Sequence, residues 1–409
     1  MYKIPLFLLF LAVFFAGCEE EPPVLPGLKF SSLTVVSEPA GAVVYFNNKN
    51  TGKVTPTVLD GLEPGFYKID LKLSKYVDTT FYTLVARDQQ DTMSLEMKEN
   101  PADWWQNWNS SNSPLPINTI NKILIDYQDN KWLATNGKGL VKYDGQAWTI
   151  FDRSNSGIPD NYILDFIIEK QNRIWVATTE GFGRFENGAW TVFNKANSNL
   201  PDNYINSIDV DIYGNIWLGT YSAGLVKFDG VTFKTYNTGN SGLPANRINA
   251  VKADGNGNIF IGTHGEGIAL FSQATGGWTI FNTITSNIPG QIVNRIVTDQ
   301  RGDMWIGYIG TVGAVGVSMF NGKYFTNYTP ANSGFTGSIV SGIAVSNLGA
   351  VWVSTADAGI LYLSHGKWKK YTTATSGIKD NTALSIAIDR NENKWIGAGG
   401  LNFYIGGKE

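Results

Sequence analysis

The chain has 409 residues, more than one domain usually holds, so at least two folding units and a sizeable buried core are expected. Its 45 Gly, 13 Trp, 18 Tyr and 22 Phe, against only 16% charged residues, favour many short strands joined by glycine turns over helices. A net charge of −3 with no Lys/Arg cluster argues against a nucleic-acid partner, and the single cysteine excludes an internal disulfide.

At the N-terminus, Lys3 precedes an apolar run over 4–17 that ends in FAGC, a small-residue approach to Cys18. The run falls short of the roughly 20 residues needed to span a bilayer, which argues against the alternative of a transmembrane helix. The segment resembles a bacterial lipoprotein signal, with Phe15 where leucine is usual. That resemblance implies a signal peptide over 1–18 and a lipidated Cys18, so that a soluble body meets the membrane through an acyl anchor alone. Residues 19–31 begin EEEPPVLPG and read as an extended acidic tether. An acidic stretch after the lipid cysteine resembles the surface-export signal of Bacteroidota lipoproteins. An outer-membrane lipoprotein is therefore expected, facing the cell surface or, if the stretch is plain linker, the periplasm.

Residues 32–98 change to period-two alternation. Tyr67, Ile69, Leu71 and Leu73 share one face while Lys68, Asp70 and Lys72 share the other; Met93, Leu95 and Met97 repeat the device. Turn signals around Asn50 and Gly52, and at Glu63 to Gly65, separate the runs. A small antiparallel β-sandwich is predicted. The residues Glu38, Pro39, Ala40, Gly41 and Ala42, with the TGK at Thr51, the TP at Thr55 and the PGxY at Pro64, resemble a PEGA domain. The resemblance implies an extracytoplasmic spacer or adhesion module without chemistry of its own.

From 102 to 409 one pattern repeats. Trp132, Trp175, Trp217, Phe260, Trp305, Trp352 and Trp395 recur every 42 to 47 residues, each inside a short apolar run. The unit NYINSIDVDIYGNIWLGTYSAGLVKFDGVTFKTYN holds four candidate strands, with aromatics and glycines at fixed places. That is a propeller blade; a solenoid would need capping units, which are not seen. The outermost strand carries two aromatics three positions apart, as at Trp148 and Phe151 or Phe233 and Tyr236, but the last unit ends before its own. Trp105 and Trp108 have the same spacing ahead of Pro116, so the start of the region is predicted to donate the missing strand. The fold class is thus all-β: a seven-bladed β-propeller closed by an N-terminal strand and preceded by a small β-sandwich. The WxxT second strands followed by GL, and the SGLPDN turns, resemble the two-component regulator propeller repeat. In that family such propellers often serve as periplasmic sensors of polysaccharide-responsive kinases. No kinase segment occurs here, so only a sensor-like propeller is implied.

Propeller ligands usually meet the face made by the loops between second and third strands. After the recurring Thr, successive units carry Asn136, Thr179, Tyr221, His264 and Ala356, with Glu180, Glu266 and Asp357 close by. Such a ring could hold a sugar, whose hydroxyls want polar groups and whose faces want an aromatic; the alternative is a solvated rim. The nearly identical SGLPDN turns, and turn residues such as Asp211, Asn215 and Asp254, read as structural. An apolar glycine-rich insertion from Tyr308 to Gly316 is either a lid or partner patch, or is folded onto its own blade. Asp165, Arg247 and Arg295, at the starts of innermost strands, would contact an anion or glycan or, as the sequence favours, form ion pairs between blades. Only two histidines exist, His264 and His365, and no HExxH or CxxC spacing, so no metal or cofactor is expected. The expectation is a non-enzymatic binding or scaffold protein for a glycan or a protein partner. The alternative is a propeller lyase or hydrolase acting through His264 and Glu266, where the THGEG loop invites comparison with streptogramin lyase, also a seven-bladed propeller.

Overall fold

The computed structural model describes residues 31–86, 89–98, 100–169, 173–310, 315–364 and 366–406. Cys18 and most of the tether, residues 311–314 of the glycine-rich insertion, and His365 lie outside the described residues. The chain divides into two units, Met1–Lys98 and Glu99–Glu409. Both are built of strands, and the helices among the described residues are two single turns, Pro101–Trp104 and Pro330–Ser333. No helix among the described residues is long and apolar enough to cross a membrane.

In the first unit a three-stranded sheet (Thr57–Leu62, Ser31–Glu38, Gln90–Glu96) and a four-stranded sheet (Lys49–Val54, Val43–Phe46, Gly65–Lys72, Thr79–Val85) bury Leu33, Val35, Val44, Ile69 and Leu71 between them. The alternation predicted over Tyr67 to Leu73 holds, with Ile69 and Leu71 inward and Lys72 exposed. The expectation of a wholly antiparallel sandwich does not. Ser31–Glu38 runs parallel to Gln90–Glu96, an arrangement that needs a long crossover, and nearly the whole unit provides it.

The PEGA-like residues have a structural task. Thr55 is buried, and its hydroxyl oxygen accepts the amides of Gly41 (3.1 Å) and Ala42 (3.0 Å). The Ser37 hydroxyl donates to the Pro39 carbonyl at 2.7 Å, which leaves Thr55 as the donor in the 2.5 Å contact between the two hydroxyls. Thr55→Val leaves the buried Ala42 amide without its acceptor and removes the donor to Ser37 Oγ, while the Gly41 amide keeps the Thr55 carbonyl at 2.8 Å. A loss of about 1–3 kcal/mol in the stability of this unit is expected, read by chemical denaturation.

The second unit is a β-propeller whose described residues form seven four-stranded antiparallel sheets, in the first six of which the chain runs up and down from inside to outside. The third sheet is typical: Ile205–Val210, Ile216–Thr220, Leu225–Phe228 and Phe233–Tyr236, with every residue of the second strand buried. Innermost strands stand side by side around the ring, that of the last sheet beside that of the first, where Ser385 Oγ donates to the Ile120 carbonyl at 2.8 Å. The last sheet holds Ser385–Ile388, Lys394–Gly397 and Leu401–Tyr404, and its outer strand is Trp105–Trp108. Leu401 pairs with Trp108 and Tyr404 with Trp105, the donation expected from the aromatic spacing. Trp105 stacks on Tyr404 at 4.4 Å and Trp108 on Trp395 at 5.8 Å.

The turn between first and second strands is held by a carboxylate. Asp211 accepts the amides of Tyr213 and Asn215, each at 2.9 Å, and the indole N–H of Trp217 at 2.8 Å. Asp126 with Trp132, Glu169 with Trp175, Asp299 with Trp305 and Asp389 with Trp395 repeat the indole bond at 2.8–3.3 Å. In the SGLPDN-type turns the asparagine is a clamp: Asn203 Oδ1 accepts the Lys195 amide (2.8 Å) and its carbonyl accepts the Gly181 amide (2.8 Å). Asn161 and Asn246 do the same in their turns. Both sets of residues are thus scaffold, as their repetition suggested.

Candidate functional site: the mouth of the central channel

In five of the seven sheets the loop between second and third strands is stapled by a threonine. Thr220 Oγ1 donates to the Gly224 carbonyl at 2.7 Å and accepts the Ala223 amide at 2.9 Å. Thr135, Thr178, Thr263 and Thr355 make the same donation. Gly224 has φ 95°, and a Cβ there would lie 2.2 Å from the Tyr236 carbonyl oxygen, so glycine is required. The staple fixes the residue after each threonine at the rim of the channel.

Two cavities lie on the axis. The deeper, about 480 Å³, is walled by the innermost strands and includes Lys122, Asp165, Ser207, Asp209, Lys252 and Arg295. The mouth, about 390 Å³, is lined by Asn121, Asn136, Leu164, Asn206, Arg247, Asn249, His264, Asn294, Arg295, Ile309, Ile339, Ser341, Ala356 and Leu384.

A belt of asparagines at the mouth was not anticipated. Pairing with the second strand shifts register between residues 205 and 207, 248 and 250, and 293 and 295, so Asn206, Asn249 and Asn294 are bulged; Asn121 is skipped in the same way. Each amide nitrogen donates to a carbonyl of the following sheet: Asn121 to Ile163 (3.0 Å), Asn206 to Ile248 (2.8 Å), Asn249 to Val293 (3.1 Å) and Asn294 to Val340 (2.7 Å). The sequence signal was the recurrent Ile-Asn or Val-Asn at the head of the innermost strand; that these side chains turn to the axis depends on the bulge.

The predicted residues separate into three groups. Asn136, Arg247, His264 and Arg295 come together at the mouth. Tyr221 stands beside it, 44% exposed, its ring 5.0 Å from that of Tyr204 and under the Arg247 guanidinium at 4.5 Å. Glu180 and Glu266 are exposed on their loops and do not line the cavity. Asp357 is occupied within the scaffold, accepting the Ser338 amide (2.9 Å) and hydroxyl (2.6 Å).

Two ligand candidates belong to the scaffold instead, Tyr308 against expectation and Asp165 through the ion pairing between blades that the sequence favours. Tyr308 is not a rim residue: it is fully buried, its hydroxyl donates to Ser318 Oγ at 3.1 Å, and burial pushes its phenol far up. It occupies the place in its sheet that the stapling threonine holds in others, and Ile309 is the residue that reaches the mouth. Asp165 is not free for a ligand. It accepts Lys122 Nζ (2.5 Å), Ser207 Oγ (3.0 Å) and the amides of Phe166 (2.9 Å) and Ile208 (3.0 Å), an inter-sheet network that uses its acceptor capacity.

The ion-pair expectation fails for the two arginines. Arg295 donates to the carbonyls of Ser341 (2.7 Å) and Asn294 (2.9 Å), and among the described residues neither Arg295 nor Arg247 forms an ion pair. Burial lowers the pKa of Arg295, with Asp165 acting in the opposite direction; a guanidinium nonetheless remains charged at neutral pH. Burial, then the charge of Arg247, holds His264 below its ordinary value, so its imidazole is neutral near pH 7. Asn249 Nδ2 lies 3.3 Å from His264 Nδ1, which assigns Nδ1 as acceptor and the proton to Nε2. No hydrogen bond or ion pair joins His264 to Glu266 among the described residues. No group of three or more potential metal ligands occurs among them either.

These features define an all-β propeller with a polar, cation-bearing mouth, joined to a small β-sandwich. Residues 30–100 match the PEGA domain family, and residues 199–222 and 242–265 match the two component regulator propeller family. Among solved structures it is similar to the extracellular domain of BT3049, described as a hybrid two component system of B. thetaiotaomicron, at 24% identity and a TM-score of 0.62. That likeness covers 74% of this chain and 41% of the other, so this chain spans less than half of that relative. PorZ, a surface component of the type-IX secretion system of Porphyromonas gingivalis, is 16% identical over 91% of this chain and 57% of its own, with a TM-score of 0.58. Virginiamycin B lyase from Staphylococcus aureus is 14% identical over 73% of this chain and 97% of its own, also at 0.58. At these identities the likeness is one of fold. Comparison with curated proteins finds no match.

Proposed function

We propose that this chain is a lipid-anchored, extracytoplasmic binding or scaffold protein, attached to the outer membrane through Cys18. The sandwich over 32–98 acts as spacer, and the seven sheets over 102–409 are the blades of one propeller. Its channel mouth receives a glycan or a protein partner and performs no reaction. The observation that carries this reading is the mouth itself: a cavity of about 390 Å³ on the axis with Arg247, Arg295 and His264 at its rim and no acid paired to either arginine among the described residues. Relatives that are an extracellular sensor domain and a bacterial surface component support placing it outside the cytoplasm. A lyase reading has less support, because Glu266 does not line the mouth and His264 is engaged by Asn249.

Screening of the full chain against a glycan array and against envelope proteins tests it. Tyr221→Ala and His264→Ala are expected to weaken the bound ligand by about tenfold, as loss of a central aromatic or polar contact usually does. Unchanged binding by both variants refutes this face as the site. Turnover of a ligand, abolished by His264→Ala, refutes the non-enzymatic reading. Cys18→Ala should release the protein from the membrane fraction.

A further inference from the structure

The mouth has two chemically different walls, and their combination narrows the ligand. Arg247 and His264 come from the fourth sheet and Arg295 from the fifth. Continuing around the ring, Ile309, Ile339, Ala356 and Leu384 come from the fifth to the seventh and are all partly accessible. A neutral sugar gains little from four aliphatic side chains beside two cations, and a purely apolar ligand gains nothing from two guanidiniums.

The cationic wall is prepared for an anion. Arg247 is held over the Tyr221 ring, so little side-chain freedom is lost on binding. Its Nε is buried without a hydrogen-bond partner, so the guanidinium charge is poorly compensated by the protein and a carboxylate at the mouth would offset it. Asp165 attracts Arg295 at a distance, but its hydrogen bonds go to Lys122 and Ser207 and it forms no ion pair with either arginine. The belt adds acceptors. Among the described residues the side-chain oxygens of Asn121, Asn206, Asn249 and Asn294 receive no hydrogen bond, although their nitrogens are all engaged. A ligand that combines a carboxylate, N–H donors and an aliphatic body satisfies all three features.

We propose that the mouth captures the C-terminal carboxylate of a peptide whose last residues are aliphatic, with the carboxylate at Arg247 and Arg295 and the terminal side chains against Ile309, Ile339 and Leu384. This rests on the reading of the mouth as the ligand site. It chooses a protein partner over a glycan.

The test is fluorescence anisotropy on the full chain in detergent, using a labelled peptide ending Gly-Ala-Val-Leu as the free acid and the same peptide as its C-terminal amide, with trigalacturonate as a polar anionic competitor. The free acid should bind about tenfold or more tightly than the amide. Arg247→Gln should bring the two within about threefold, while Ile339→Asn should weaken both and keep their ratio. Arg295→Lys, which retains the charge, should keep most of the preference; circular dichroism melting establishes that each variant is folded. Equal binding of acid and amide, an undiminished preference in Arg247→Gln, or no binding of either peptide overturns the proposal. Tight binding of trigalacturonate that Arg247→Gln abolishes also overturns it, but leaves the mouth as the ligand site. Failure of peptides and array glycans alike to respond to any mouth variant overturns both.

Discussion

Deletion of residues 103–112 should lower the thermal unfolding midpoint of the propeller by more than about 10 °C, the largest effect expected of any local change in this chain. Trp105 is only 6% exposed; it stacks on Tyr404 and packs so closely on Gly377 that a Cβ there would lie 2.5 Å from its ring. Truncating such a residue costs about 3–5 kcal/mol, and each kcal/mol is worth roughly 2 °C in a domain of this size. Trp105→Ala alone should therefore lose about 6–10 °C. The deletion removes Trp108 as well and strips the hydrogen-bonded partner from Leu401–Tyr404. That strand becomes an open edge, so concentration-dependent aggregation on heating should accompany the loss. Scanning calorimetry of the deletion beside Trp105→Ala measures both, and an unchanged midpoint refutes the closure.

That closure was legible because it rests on spacing. Trp105 and Trp108 repeat a pair that recurs in other sheets, and a repeat lets one sheet predict another. The scaffold roles of Asp211, Asn215 and the SGLPDN asparagine were legible for the same reason, since residues that recur from unit to unit serve what the units share. The mouth was harder to read. Asn206, Asn249 and Asn294 reach the axis only because a bulge rotates them out of the strand alternation, and register is a property of two strands together. Tyr308 was misread because its insertion drew attention to a loop, whereas counting three residues from Trp305 places it at the buried threonine position. Arg247 was found by its place at the head of an innermost strand, but nothing in the sequence brought Tyr221 beneath its guanidinium.

The carboxylate turns lead to the second large effect. Asp211→Ala removes the acceptor of the Trp217 indole, of two turn amides and of Gln273 Nε2 from the next sheet, and Trp217 is fully buried. A destabilisation of about 2–4 kcal/mol is expected, because the indole N–H is left without a partner in an apolar setting. Asp254→Ala is the internal control. Its turn amides are held in the same way, but the aromatic it faces is Phe260, which has no N–H to orphan, so about 1 kcal/mol should be lost. The sixth sheet offers the converse: Ser346 stands where the acid does, and the Trp352 indole nitrogen has no partner. Ser346→Asp should stabilise the propeller by about 1 kcal/mol if the carboxylate reaches that nitrogen.

The same chemistry sets the response to acid. For Asp126 and Asp211 burial alone would raise the pKa, but the hydrogen bonds from tryptophan and asparagine outweigh it and hold both below 3.8. A carboxyl whose folded pKa is depressed stabilises the fold above its unfolded pKa and loses that contribution as pH falls through the folded value. The wild-type midpoint should thus decline from about pH 4 downward, and more gradually in Asp211→Asn, which cannot titrate there. Identical acid profiles for the two proteins would show that the Asp211 charge does not hold the turn.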